Sequence, residues 1–184
     1  MKAAKSLFFL LGLLLVCAHL AGNCRARLLS ARAAAAALKS SDWTKKPVER
    51  KKRGIAPATL REVRAADQSD FDRVVFEFKG EVVPGYRVEY ATSPITDEAG
   101  RVVKLFGKAS LRVDLNPAWA HSNETGAPSV KDREKRVNLK RLIEFKQVED
   151  FEGVVTYALG LKKRAPFRVT EMLNPARLVI DIKH

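Results

Sequence analysis

From residue 57 onward, apolar and polar positions mostly alternate with a period of two, which predicts strands that bury one face. In Phe71–Phe78, Val74, Phe76 and Phe78 share one parity, against Arg73 and Glu77. Tyr86–Tyr90 repeats this with aromatics on one side and Arg87 and Glu89 on the other. The longest ladder runs from Leu105 to Leu115, where Leu105, Gly107, Ala109, Leu111, Val113 and Leu115 share a face. Lys104, Lys108, Arg112 and Asp114 take the opposite face, and the small Gly107 and Ala109 predict a close approach by a neighbouring strand. Near the end, Phe151, Val155, Tyr157, Leu159 and Leu161 share parity, and Leu178, Ile180 and Ile182 alternate with Val179 and Asp181. Pro57–Ala66 alternates loosely and gives a first strand. Across Val137–Val148 the parity fails at Leu142 and Val148, which predicts a bulge or a helical turn. Pro94 and Asp97–Gly100 mark a long connection. Short strands, frequent turns and no convincing helical run predict an all-β fold, a single β-sandwich or a partly open barrel.

The first residues follow a different pattern. Met1–Ser6 carries two lysines and no acid, and Leu7–Gly22 is almost wholly apolar. That run is shorter than the ~20 residues of a membrane-spanning helix and reads as a signal peptide, residues 1–26. Cleavage after Ala26 competes with cleavage in the alanine run 33–37 and with lipidation at Cys24. Cys24 ends a lipoprotein-like box in which Asn23 replaces the usual small residue. Cys17 and Cys24 are the only cysteines, so residues 57–184 hold no thiol. Disulfides, thiolate metal sites and a cysteine nucleophile are thereby excluded from that region.

Charge refines the organisation. The net charge of +13 is uneven: residues 27–53 carry +7 and residues 54–184 only +3. Residues 27–56 therefore read as a disordered basic linker ahead of a domain at 57–184. Such a run can attract anionic headgroups or wall phosphates. Nucleic acid is not an expected partner, because the aromatics sit on strand faces instead of among the basic residues.

FDRVVFEF, PGYRVEY, the A-x-L-x-V-x-L-x-P-A-x-A-H segment from Ala109 to His121, DFEGVVTYALGL, PFRV and PARLVIDIKH stand in this order. Together they resemble the AMIN-like domain family over about residues 57–184. The resemblance implies an exported bacterial β-domain, related to the AMIN domains that accompany cell-wall amidases and pilus secretins. It implies a non-catalytic role in the periplasm or extracytoplasmic envelope, with peptidoglycan or glycan as ligand. It supplies no binding residues.

Those must come from the chain itself. His121 is the one histidine inside the domain besides the terminal His184. Zinc sites generally use three or four protein ligands, so neither a metal nor another cofactor is expected. The acids Asp70/Asp72 and Glu149/Asp150/Glu152 precede strands and read as solvated turn residues. No nucleophile elbow, phosphate-binding loop or dinucleotide fingerprint is present, and no catalysis is expected. The loop Asn116–Arg136 carries Trp119 and His121, which are the candidate ligand contacts. Trp119 could equally be a plug closing the end of the sandwich. Lys104, Lys108 and Arg112 form a second candidate surface. The alternative to wall binding is a structural envelope protein that docks onto a partner by sheet-edge pairing. Membrane association through the signal, a lipid anchor or the linker is a further expectation.

Overall fold

A computed structural model describes residues 37–184; the expected signal peptide, its cleavage sites and Cys24 lie outside them. Twelve strands form two six-stranded sheets. One sheet is ordered β1-β11-β12-β4-β3-β7, and the other β2-β5-β6-β10-β9-β8. The first comprises β1 (Ala37–Ser40), β3 (Ala58–Asp67), β4 (Phe71–Phe78), β7 (Ala118–Trp119), β11 (Phe167–Met172) and β12 (Arg177–Lys183). The second comprises β2 (Val48–Arg50), β5 (Gly85–Tyr90), β6 (Ala109–Asn116), β8 (Glu134–Arg136), β9 (Leu142–Phe151) and β10 (Val154–Leu161). All pairings are antiparallel except β3 with β7. The fold is an all-β sandwich with two sheets, not a closed barrel.

The alternation places the core. Val74, Phe76 and Phe78 of β4 face Tyr86, Val88 and Tyr90 of β5, Leu111, Val113 and Leu115 of β6, and Tyr157 and Leu159 of β10 in one buried cluster. Aromatic rings lock the sheets together edge-on, Phe76 to Tyr157 at 5.3 Å and Tyr90 to Phe167 at 5.9 Å.

Four details depart from the sequence expectation. The ladder begins at Ala109, not Leu105, because Gly107 takes φ 118°, a conformation that ends the strand. The predicted close approach is real: a β-carbon at Gly107 would overlap the Leu161 carbonyl. Gly107→Ala is therefore expected to cost about 2–4 kcal/mol, backbone strain plus overlap, read as a lower urea midpoint. Next, Glu152 and Gly153 both have positive φ, 46° and 76°, and turn β9 into β10. This two-residue hairpin detaches Phe151 from the β10 parity and leaves it exposed. Across Val137–Val148 the parity failure is caused by two register shifts in the β9–β10 pairing, which skip Ile143 and Val148. The helical-turn option is not realised.

The fourth departure concerns residues 37–56. Ala37–Ser40 pairs with β11 and Val48–Arg50 pairs with β5, so this segment joins an edge of each sheet instead of forming linker throughout. Arg50 Nη1 lies 2.6 Å and Lys52 Nζ 2.9 Å from the carboxylate of Glu171, an acid that is 2% exposed. Tyr86 belongs to this cluster. Burial first, and the Glu171 carboxylate second, push its phenol up to about 12.

Candidate functional site

β7 continues the chain from β6 and presents alternate faces. Ala118 and Ala120 are buried, so Trp119 and His121 project to the other side and stay half-buried. Trp119 is thus no core plug. Its ring lies 6.0 Å from that of His121, with 30° between the planes. The following loop closes on itself, with Gly126 N donating to Ser122 O and Ser122 N to Ala127 O.

His121 is held from below by β9. Its Nδ1 lies 2.8 Å from Asp150 Oδ2, while Asp150 Oδ1 accepts the Ala120 N–H at 3.1 Å. The Asp150 carboxylate thus fixes the imidazole from its Nδ1 side. Asp150 N in turn donates to Glu98 Oε1 at 3.0 Å, which ties in the 97–101 turn. That turn is organised by Asp97, whose carboxylate accepts the backbone N–H groups of Ala99 and Arg101 and the Arg101 side chain. The Arg101 backbone bond, more than any other contact, keeps the Asp97 carboxyl below its usual range.

Between this turn, the 120–128 loop and β8–β9 opens a cleft of about 730 Å³. His121, Asp150, Glu149, Gln147, Arg133 and Glu98 are among the residues that line it. Carboxylates outnumber guanidinium groups on its walls, five to two. Under the floor, Tyr157 is fully buried with its hydroxyl 3.3 Å from Gln147 Oε1. Burial raises its phenol, and Asp150 adds to the shift.

The other candidates lie apart. Arg112 is half-buried on the outer face of its sheet, bonded to Asp114 at 2.8 Å and 3.8 Å from Glu149, so it backs one cleft wall without lining it. Lys104 and Lys108 are exposed and precede β6, and the three do not form one strand face.

Two acids expected as solvated turn residues are instead built into the fold. Asp150 anchors His121, and its importance was hidden because the partner sits 29 residues upstream, just past β7. Asp72 is fully buried. With Asp67 and His184 it forms a trio whose polar atoms all lie within 4.8 Å, a spacing compatible with a metal. Its oxygens are already engaged: Oδ2 accepts Arg141 N and Leu142 N, and Oδ1 faces His184 Nε2 at 2.8 Å. Asp72 is thus a hydrogen-bonded clasp between the sheets. Ser129 donates its hydroxyl to Leu60 O at 2.6 Å.

A family model described as the AMIN-like domain matches residues 58–184. No curated protein and no solved structure matches the chain.

Proposed function

The chain belongs to the AMIN-like domain family, and from that premise we propose that it is a non-catalytic envelope module whose cleft recognises cell-wall glycan or peptidoglycan. The family itself points to an envelope-associated, peptidoglycan-related role, typically in periplasmic or extracytoplasmic proteins. Export through residues 1–26, with or without lipidation at Cys24, belongs to the same reading.

The observation that carries it is His121 in the wall of an open polar cleft, with the Trp119 ring 6.0 Å from its own. Half-exposed rings offer a face to the C–H surface of a sugar, while Gln147, Arg133 and Glu149 offer partners for hydroxyl, amide and carboxylate groups. Asp150 spends both oxygens on positioning, one on Ala120 N and one on His121. That use favours a built binding wall over a general base awaiting a nucleophile. Docking by edge pairing has less support, because the four sheet edges are strands of only two to four residues.

Co-sedimentation with insoluble peptidoglycan tests the proposal. Trp119→Ala and His121→Ala are each expected to weaken binding about tenfold, roughly 1.4 kcal/mol, with circular dichroism unchanged. Binding should persist in moderate salt, which would abolish attraction by exposed charges alone. Undiminished binding by a folded double variant would remove the cleft from consideration. Release of soluble muropeptides by the purified protein would refute the non-catalytic assignment.

A further inference from the structure

The net charge of the domain is small, yet its unpaired cations are not spread evenly. The strand registers bring one set of turns to a common end of the sandwich. There Leu161 faces both Ala109 and Leu142, Phe167 faces Ile182, and Lys183 faces Phe71. Thr44 bridges to Phe167 at the same end. This end therefore collects Lys45, Lys46, Lys108, Lys162, Lys163 and Arg164, all exposed and none in an ion pair. Arg164 instead lies 4.5 Å over the Tyr90 ring. By contrast, the cations along the strands, such as Arg64, Arg73, Arg87 and Arg112, are matched by carboxylates. Of the acids at this end, Asp72 is buried under three donors and Asp67 pairs with Lys140 at 3.4 Å, while Asp42 and Asp70 are exposed, so the six cations outnumber the exposed unpaired acids by three to one.

An exposed aromatic flanks these cations. Phe106 is 53% exposed, two residues before Lys108, with the Arg136 guanidinium 3.6 Å from its ring centre. It is held in place by its N–H, which donates to the buried Glu144 at 2.6 Å. The cleft that holds His121 is not lined by these cations. Charge gathered over several neighbouring turns beside a fixed aromatic suits a plane of charge better than a single polymer strand.

We propose that this basic end docks on the surface of an anionic lipid bilayer, with Phe106 seated among the headgroups. The cleft of His121 lies toward the opposite end of the strands, near the β9–β10 hairpin, and would face away from that surface. A docked domain could then hold wall material and membrane at once. The inference does not depend on what the cleft binds.

Hydrogen exchange on the full chain tests it with a local readout. Vesicles of equal phosphatidylglycerol and phosphatidylcholine are expected to slow exchange in 104–108 and 162–166, and phosphatidylcholine vesicles are not. Lys162→Glu with Lys163→Glu should move the titration midpoint at least tenfold. Lys45→Glu with Lys46→Glu, on a separate element, should do the same if the first variant misfolds. Lys79→Glu, at the far end, should leave the midpoint unchanged. Protection confined to residues upstream of 37, an equal loss with Lys79→Glu, or protection by soluble polyphosphate but not by vesicles would each overturn the proposal.

Discussion

A chain that begins at Gly54 is expected to be less stable than one that includes residues 37–53 by about 3–5 kcal/mol, the cost of stranding a buried charge. Glu171 sits on the core-facing side of β11 and is 2% exposed, and its two cations, Arg50 and Lys52, both lie upstream of residue 54. Removing them leaves a carboxylate on the core-facing side without its counter-charges. The truncation also strips β1 and β2 from the sheet edges and Trp43 from beside Phe71 and Arg168. Denaturant midpoints of the two forms measure the effect. Glu171→Gln should recover part of the loss in the short form, because it removes the stranded charge, and should destabilise the long form, where the pairs exist. In the long form, Arg50→Met or Lys52→Met alone should cost less than the pair together, since each leaves the other cation in place. Arg50 is about a third exposed, which puts its own share at the low end. Equal midpoints for the two forms would show that the strap is dispensable. Binding assays on the domain accordingly belong on chains that retain residues 37–53.

This strap also shows what the sequence could convey and what it could not. β4 and β5 were legible because each sets an apolar parity against a charged or polar one, and the period alone gives the buried face. Residues 37–53 carry no such signal. Their composition is that of a solvated tail, and Arg50 and Lys52 acquire structural meaning only from Glu171, 121 and 119 residues away. The break at Gly107 is likewise a backbone event: a ladder pattern runs through it unchanged while φ does not. At the cleft, Trp119 and His121 were legible as aromatics on a long loop. Their support was not, since Asp150 reads as one turn acid among several until the β9–β10 pairing and the β7 strand bring it under the imidazole. The charge of the domain followed the same rule. Its total of +3 over residues 54–184 is correct as a sum, but only the strand order reveals which lysines share an end.

Asp72→Ala is expected to cost about 3 kcal/mol, because it strands two N–H groups that the fold closes off from water. Asp72 lies on the inward parity of β4, next to Val74 and Phe76, and is fully buried. It is tolerated there because Arg141 N at 2.6 Å and Leu142 N at 2.7 Å donate to one oxygen and His184 faces the other. The contact crosses from one sheet to the start of β9 in the other, and the far end of β9 carries Glu149 and Asp150 of the cleft. Alanine should therefore lower the denaturant midpoint and speed amide exchange at Leu142. Asparagine separates the possible reasons. Its carbonyl oxygen can still accept both backbone donors, so Asp72→Asn should retain most of the stability and cost about 1 kcal/mol for the lost charge assistance. If the carboxylate instead served mainly as a ligand for a cation with Asp67 and His184, asparagine and alanine would be equally damaging, and a chelator would reproduce the loss in the unmutated chain. Comparable midpoints for the two variants would thus refute the clasp, whereas a gap of about 2 kcal/mol between them, insensitive to chelator, is the result the hydrogen-bond geometry predicts.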